Sequence, residues 1–165
     1  MVKINNISFS YKEFENTEEL DPNDRELVFA AREAALNAYA PYSKFRVGAA
    51  IRLESGLIVR GSNVENAAFP SGICAESSAL ANSVSNHHND KPIAMAIAAM
   101  TEDGLTDDPV PPCGNCRQVI AEEELRTGKQ IRIILSGKNK ILIIESISSL
   151  LPLQFNKQNL KVSLP

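Results

Sequence analysis

Residues 93–100 read IAMAIAAM, an uninterrupted apolar run entered through Pro92. Eight apolar residues without polar alternation suit a strand whose two faces are both covered. The stretches on either side are helical in pattern. Gly72 to about Asn86 is rich in Ala and Ser, and residues 113–127 end at Gly128, a helix stop. Further out, residues 45–53 (FRVGAAIRL) and 57–60 (LIVR) read as two strands joined by a Glu54-Ser55-Gly56 turn. Ile131–Leu135 and Ile141–Ile144 are two more strands, around Gly137-Lys138-Asn139. Asp21-Pro22 starts a helix, with Asp as N-cap and Pro in the first turn. Leu27, Phe29, Ala30, Ala34, Leu36 and Ala38 carry it to Tyr39, ahead of Pro41. The alternation Ile7, Phe9, Tyr11 predicts a short strand within 2–14, and a last helical piece runs from Ile147 to Leu151 before Pro152. Strands alternating with helices predict an α/β domain, a three-layer α-β-α sandwich around a mixed sheet of about five strands. Residues 1–20 are expected to be an N-terminal extension and 21–165 a single domain.

With 165 residues the chain fits one ordinary domain, able to bury roughly 70% of its unfolded surface. Seventeen Lys and Arg against 20 Asp and Glu give a net charge of −3. That balance argues against a nucleic-acid partner, whose affinity comes from basic residues on phosphates. Six Phe, three Tyr and no Trp leave little for a base-stacking platform. No run approaches the roughly 18 apolar residues of a membrane span, so no membrane partner is expected. The first 20 residues lack a signal peptide's apolar centre, and a cytoplasmic setting is the expectation.

In such a reducing compartment three Cys are free thiols or metal ligands, since three cannot all pair within one chain. Cys113-Gly114-Asn115-Cys116 stands at a predicted helix start behind Pro111-Pro112. An i, i+3 spacing puts both sulfurs on one helix face, and the N-terminal dipole favours thiolate. Alone, this C-x-x-C fits a redox pair, half of a four-Cys zinc site, or accident. Cys74 narrows the choice, because it too opens a helix and Glu76 follows two residues later. Three protein ligands leave zinc a fourth position for water, as catalytic sites require. A carboxylate two residues from a ligand is placed for acid–base work on that water. His87 and His88, beside Asn86, Asn89 and Asp90, read as a solvated helix end.

Zinc deaminases carry this arrangement, a ligand-x-Glu followed by Pro-Cys-x-x-Cys. The pattern Cys74-Ala75-Glu76 … Pro112-Cys113-Gly114-Asn115-Cys116 resembles that of the small homotetrameric cytidine deaminases of nucleoside salvage. The likeness extends to Ala40–Ala50, to Asn63-Val64-Glu65-Asn66-Ala67, to Cys113–Gln118 and to Leu150-Leu151-Pro152 with Phe155. It covers roughly residues 22–160. The resemblance implies Zn²⁺ held by Cys74, Cys113 and Cys116, with Glu76 shuttling protons between zinc-bound hydroxide and the base. It implies that Asn63 and Glu65 hold a ribose hydroxyl and that Phe45 borders the pyrimidine. Backbone groups at Ala75 and Pro111 would face the base and the leaving ammonia. Phe155 would reach the pyrimidine from a neighbouring subunit of a homotetramer. The implied reaction is hydrolytic deamination of cytidine and deoxycytidine, with no organic cofactor.

Two positions depart from the family pattern. Ser77 stands where Arg usually tempers the thiolates, leaving Arg117 and two helix N-termini as the donors visible in the sequence. Phe69 stands where Tyr is common. Three other readings share some of these features: a deaminase of another aminopyrimidine nucleoside of the blasticidin type, a non-catalytic zinc-stabilised binding module, and a polynucleotide-editing deaminase. The Asn63-x-Glu65 pair favours an ordinary ribose over the first. Glu76 and the missing fourth ligand count against the second, and the acidic balance against the third.

Overall fold

The computed structural model describes residues 1–160; the last five residues of the expected 21–165 domain lie outside them. Asp21 caps the first helix, α1 (Pro22–Leu36), by accepting from the Asn23 amide at 2.9 Å. The other elements follow in order: β2 (Arg46–Leu53), β3 (Ile58–Ser62), α2 (Ala75–Asn86), β4 (Pro92–Thr101), β5 (Gly104–Leu105), α3 (Gly114–Thr127), β6 (Arg132–Ser136) and β7 (Ile141–Ile144). Ahead of them all stands β1 (Lys12–Phe14). The sheet runs β1-β7-β6-β4-β2-β3, with β5 pairing β4. Among the described residues, only β4 and β6 are parallel neighbours.

The expected mixed sheet between helical layers is present, with seven strands among the described residues in place of about five. The additional ones are short, β1 of three residues and β5 of two. Three boundaries are corrected. The first strand starts only at Lys12, and Ile7, Phe9 and Tyr11 precede it as exposed side chains. Helix α1 stops at Leu36 because Tyr39 is drawn into a bridge with Val64, its amide donating to Asn63 O at 3.0 Å. The last helical piece is one 3₁₀ turn, Ile147–Ser149, capped by Ser146.

The apolar run of β4 divides by side-chain parity, as the two-residue period of a strand requires. Met95 and Ile97 face a core shared with Ala75, Ala79 and Leu80 of α2 and Ile120 and Ala121 of α3. Ala94, Ala96 and Ala98 face Leu27, Val28 and Ala31 of α1. Small residues on the α1 side let that helix sit close. This is the three-layer arrangement.

Strands β3 and β4 each pair antiparallel with β2 between them, so they run parallel to one another. The crossovers β3–α2–β4 and β4–α3–β6 progress the same way across the sheet and therefore lie on one face. Both helix N-termini consequently open at the carboxyl ends of parallel strands, where α/β sheets place ligands. The start of β2 reaches the same edge.

Gly61 sets the depth of α2. A Cβ there would lie 2.3 Å from Ala79 N and 2.6 Å from Ala75 O, both backbone atoms of the helix. Gly61→Ala must push α2 off the sheet, and overpacking of this kind costs about 1–3 kcal/mol. We expect a lower melting temperature with looser metal retention, read by calorimetry and metal analysis; wild-type values for both would contradict this packing account.

Candidate active site

The three cysteines converge from two helix N-termini. Cys74 is the N-cap of α2, Cys113 is the N-cap of α3, and Cys116 lies one turn into α3, fully buried. Their sulfurs all lie within 4.8 Å of one another, with Cys74 Sγ and Cys113 Sγ 3.9 Å apart. A disulfide needs about 2.05 Å. Thiolates around tetrahedral zinc, each bound at about 2.3 Å, stand roughly 3.8 Å from one another. The spacing fits one shared ion.

The electrostatics fit it as well. Burial pushes the Cys116 thiol well above its ordinary range, and the nearby Glu76 charge adds to the effect. Burial likewise raises Cys74. At Cys113 burial also opposes the thiolate, but hydrogen bonds from the Cys116 and Asn115 amides and the neighbouring thiols outweigh it and hold the group below its usual value. The Cys116 amide donates to Cys113 Sγ at 3.5 Å. Three adjacent thiolates at a partly buried point therefore require a cation, and soft sulfur donors select a metal such as zinc.

Glu76 is 5% exposed, in the first turn of α2, and burial raises its carboxyl above the usual range. It faces the same cavity as Cys74 and Cys113, a cleft of about 710 Å³. Phe45, Asn63, Glu65, Ala75 and Pro111 also line this cleft. Asn63 accepts from the Val47 amide at 2.7 Å and donates to Phe45 O at 3.0 Å, which fixes the start of β2. Glu65 Oε2 accepts from the amides of Tyr42 and Ser43 at 2.8 and 3.2 Å. The Ser43 hydroxyl and those amides hold its carboxyl below the usual range. The turn these two residues tie down ends at Lys44, whose φ of 59° is left-handed.

Phe155 is the exception. It is 58% exposed and lines a separate groove with Leu80, Val84 and Val119, away from its own chain's cleft. Arg117 also differs from the expectation that it balances the thiolates. Its guanidinium hydrogen-bonds the carbonyls of Pro112 and Leu150. The hydroxyl beside a sulfur belongs to Ser77, 3.7 Å from Cys116 Sγ. Tyr42, within the Ala40–Ala50 stretch, also stands on the rim of the cleft, where its ring meets Phe69 edge-on at 6.1 Å. No spacing rule pairs residues 27 positions apart in loops, so nothing in the sequence flagged that contact.

The profile of the cytidine and deoxycytidylate deaminase zinc-binding region matches residues 21–129. A cytidine deaminase of Sporosarcina psychrophila is 38% identical over 134 residues, covering 81% of this chain and 92% of its own. A blasticidin-S deaminase of Bacillus cereus is 30% identical over 140 residues, covering 84% and 96%. The crystal structure of cytidine deaminase from Burkholderia pseudomallei superposes with a TM-score of 0.68 at 35% identity, covering 79% of this chain and 97% of that one. Fold and site together define a zinc hydrolase of the deaminase class. The chain belongs to the cytidine and deoxycytidylate deaminase family.

Zinc is its cofactor, and purified protein should contain about one per chain. Cys116→Ala should lose the metal together with stability, because the buried thiolate lies at the junction of α3 and the core. Elemental analysis and thermal melts with and without chelator check both; metal-free active protein would contradict the site.

Proposed function

We propose that the chain hydrolyses cytidine and deoxycytidine to uridine and deoxyuridine, with Cys74, Cys113 and Cys116 as the zinc ligands and Glu76 as the proton shuttle. One observation carries this reading: of three sulfurs within bonding range of a single ion, two open on a cleft lined also by a buried carboxylate two residues from the first of them. Bound zinc supplies a Lewis acid that brings the pKa of water to about 7. The Glu76 carboxylate takes a proton from the attacking water and delivers it to N3 of the pyrimidine, making C4 electrophilic. The water oxygen bonds to C4, and a second transfer through Glu76 carries the remaining proton of that oxygen to the 4-amino group, so that the C4–N bond breaks, ammonia leaves and C4 becomes a carbonyl. Water enters, ammonia departs, and no electrons change hands.

The cleft supplies the remaining contacts. Phe45 borders the base, and backbone at Ala75 and Pro111 faces it. Asn63 and Glu65 bind the ribose, Glu65 keeping Oε1 for a hydroxyl while Oε2 holds the loop amides. Among the described residues the lining includes two carboxylates, Glu65 and Glu76, and no Lys or Arg. Lys44 is close enough to act on Glu65 but does not line the cleft, so the lining itself offers a 5′-phosphate no cationic side chain, which favours a nucleoside over a nucleotide and disfavours polynucleotides. No described helix is long and apolar enough to cross a membrane. Three free thiols suit a reducing cytoplasm. We assign the deaminase chemistry to residues 21–165, with 1–20 as an extension whose β1 joins the edge of the sheet and whose Leu20 packs into the core.

We assign a homotetramer with shared sites. Supporting it are the apolar residues exposed at the cleft mouth, Phe69 (77%), Ile73 and Tyr42, and the position of Phe155 outside its own cleft. Exposed apolar patches of this kind call for a partner surface.

Glu76→Gln keeps shape and reach but accepts no proton. It should bind zinc and fold normally while losing about a hundredfold to ten-thousandfold in turnover of cytidine, followed by ultraviolet loss and ammonia release. Near-normal turnover would remove Glu76 from the mechanism. Assembly is tested by mixing: Phe155→Ala and Glu76→Gln chains, each nearly inactive alone, should regain activity when co-refolded. A monomeric mass with no recovery would refute the shared site.

A further inference from the structure

Arg117 directly follows the buried Cys116, and its side chain spans two carbonyls. Nε donates to Pro112 O at 2.9 Å, and Nη1 donates to Leu150 O at 2.8 Å. Pro112 precedes the N-cap Cys113, whereas Leu150 opens the segment that leads to Phe155. The next residue, Gln118, donates from Nε2 to Phe155 O at 2.9 Å. Two neighbouring side chains on the first turns of α3 thus hold both ends of residues 150–155.

Residues 152–155 belong to no helix or strand, and Leu153 is exposed with a left-handed φ of 55°. Leu150 and Leu151 pack on the core and donate to Ile147 O, but residues 152–155 have no such regular bonding, and the side chains of α3 tie the two ends of the segment down. We propose that Arg117 and Gln118 are positioning residues that strap Leu150–Phe155 to the cysteine-bearing end of α3. Arg117 ties the Leu150 end of the segment to the Pro112 carbonyl beside Cys113, whereas Gln118 holds only the Phe155 end, so the metal site depends on Arg117 and not on Gln118, a dependence that rests on the zinc reading above. The bridging residue must be Arg. A guanidinium presents fixed, divergent donors that reach two carbonyls at once, whereas an ammonium is a single point charge. If Arg117 served only to balance thiolate charge, Lys would replace it without loss.

The chain has no Trp, so Phe155→Trp introduces a single fluorescent reporter at the end of the strap. On that background Arg117→Lys, Arg117→Ala and Gln118→Leu are compared, with Arg60→Lys as control. Arg60 pairs with Glu33 and lines neither the groove of Phe155 nor the cleft. Acrylamide quenching of the indole reports the seat of the segment, and the rate of zinc release to a chelator reports the metal site. We expect Arg117→Lys to match Arg117→Ala, with stronger quenching and zinc release faster by roughly tenfold or more, as loss of charged hydrogen bonds implies. Gln118→Leu should strengthen quenching while releasing zinc at the parent rate, and Arg60→Lys should change neither. Parent-like behaviour of Arg117→Lys in either readout overturns the strap, as does parent-like quenching in Gln118→Leu. Should Arg117→Lys fail to fold, the Gln118→Leu quenching decides. A parent protein without zinc would instead refute the metal reading, leaving the quenching comparison to judge the strap separately.

Discussion

Three sulfurs held within 4.8 Å of one another at a partly buried point are the constraint on which the site depends. Burial opposes ionisation of all three and nearby negative charge opposes it further at Cys74 and Cys116, whereas hydrogen bonds favour it at Cys113. A divalent cation reverses that balance, turning repelling groups into ligands. The protein contributes two helix N-termini aimed at the same place, each adding partial positive charge. Those N-termini meet because β3 and β4 are parallel and their crossovers share one face, and because Gly61 lets α2 lie directly on the sheet. The metal chemistry is thus a consequence of topology.

The same edge of the sheet supplies the rest of the cleft. Asn63 ties the end of β3 to the start of β2, and Glu65 ties the following loop to the Tyr42–Ser43 turn. These side chains organise the cleft before any ligand arrives, which lowers the ordering cost of binding. Among the described residues its lining holds the carboxylates Glu65 and Glu76 and the sulfurs of Cys74 and Cys113, and no Lys or Arg.

Much of this was legible in the sequence because the signals were local. Asp21-Pro22 does cap α1, Gly128 ends α3 with φ 66°, and the apolar run does form β4. The cysteine spacings could be read because each motif sits on one helix start. What escaped was set by distant partners. The alternation Ile7, Phe9, Tyr11 looks like a strand, yet pairing to β7 begins only at Lys12. Tyr39 leaves α1 for a bridge that sequence periodicity cannot reveal. Arg117, adjacent to a ligand in sequence, spends its donors on carbonyls, and Ser77 lies nearer a sulfur.

The central claim is that one zinc ion is held by three cysteines with a fourth position left for water. X-ray absorption at the zinc edge of the purified protein measures that shell directly. The account predicts three sulfur neighbours at about 2.3 Å and one oxygen or nitrogen neighbour at about 2.0–2.2 Å. A four-sulfur shell, or a zinc environment without sulfur, would contradict it.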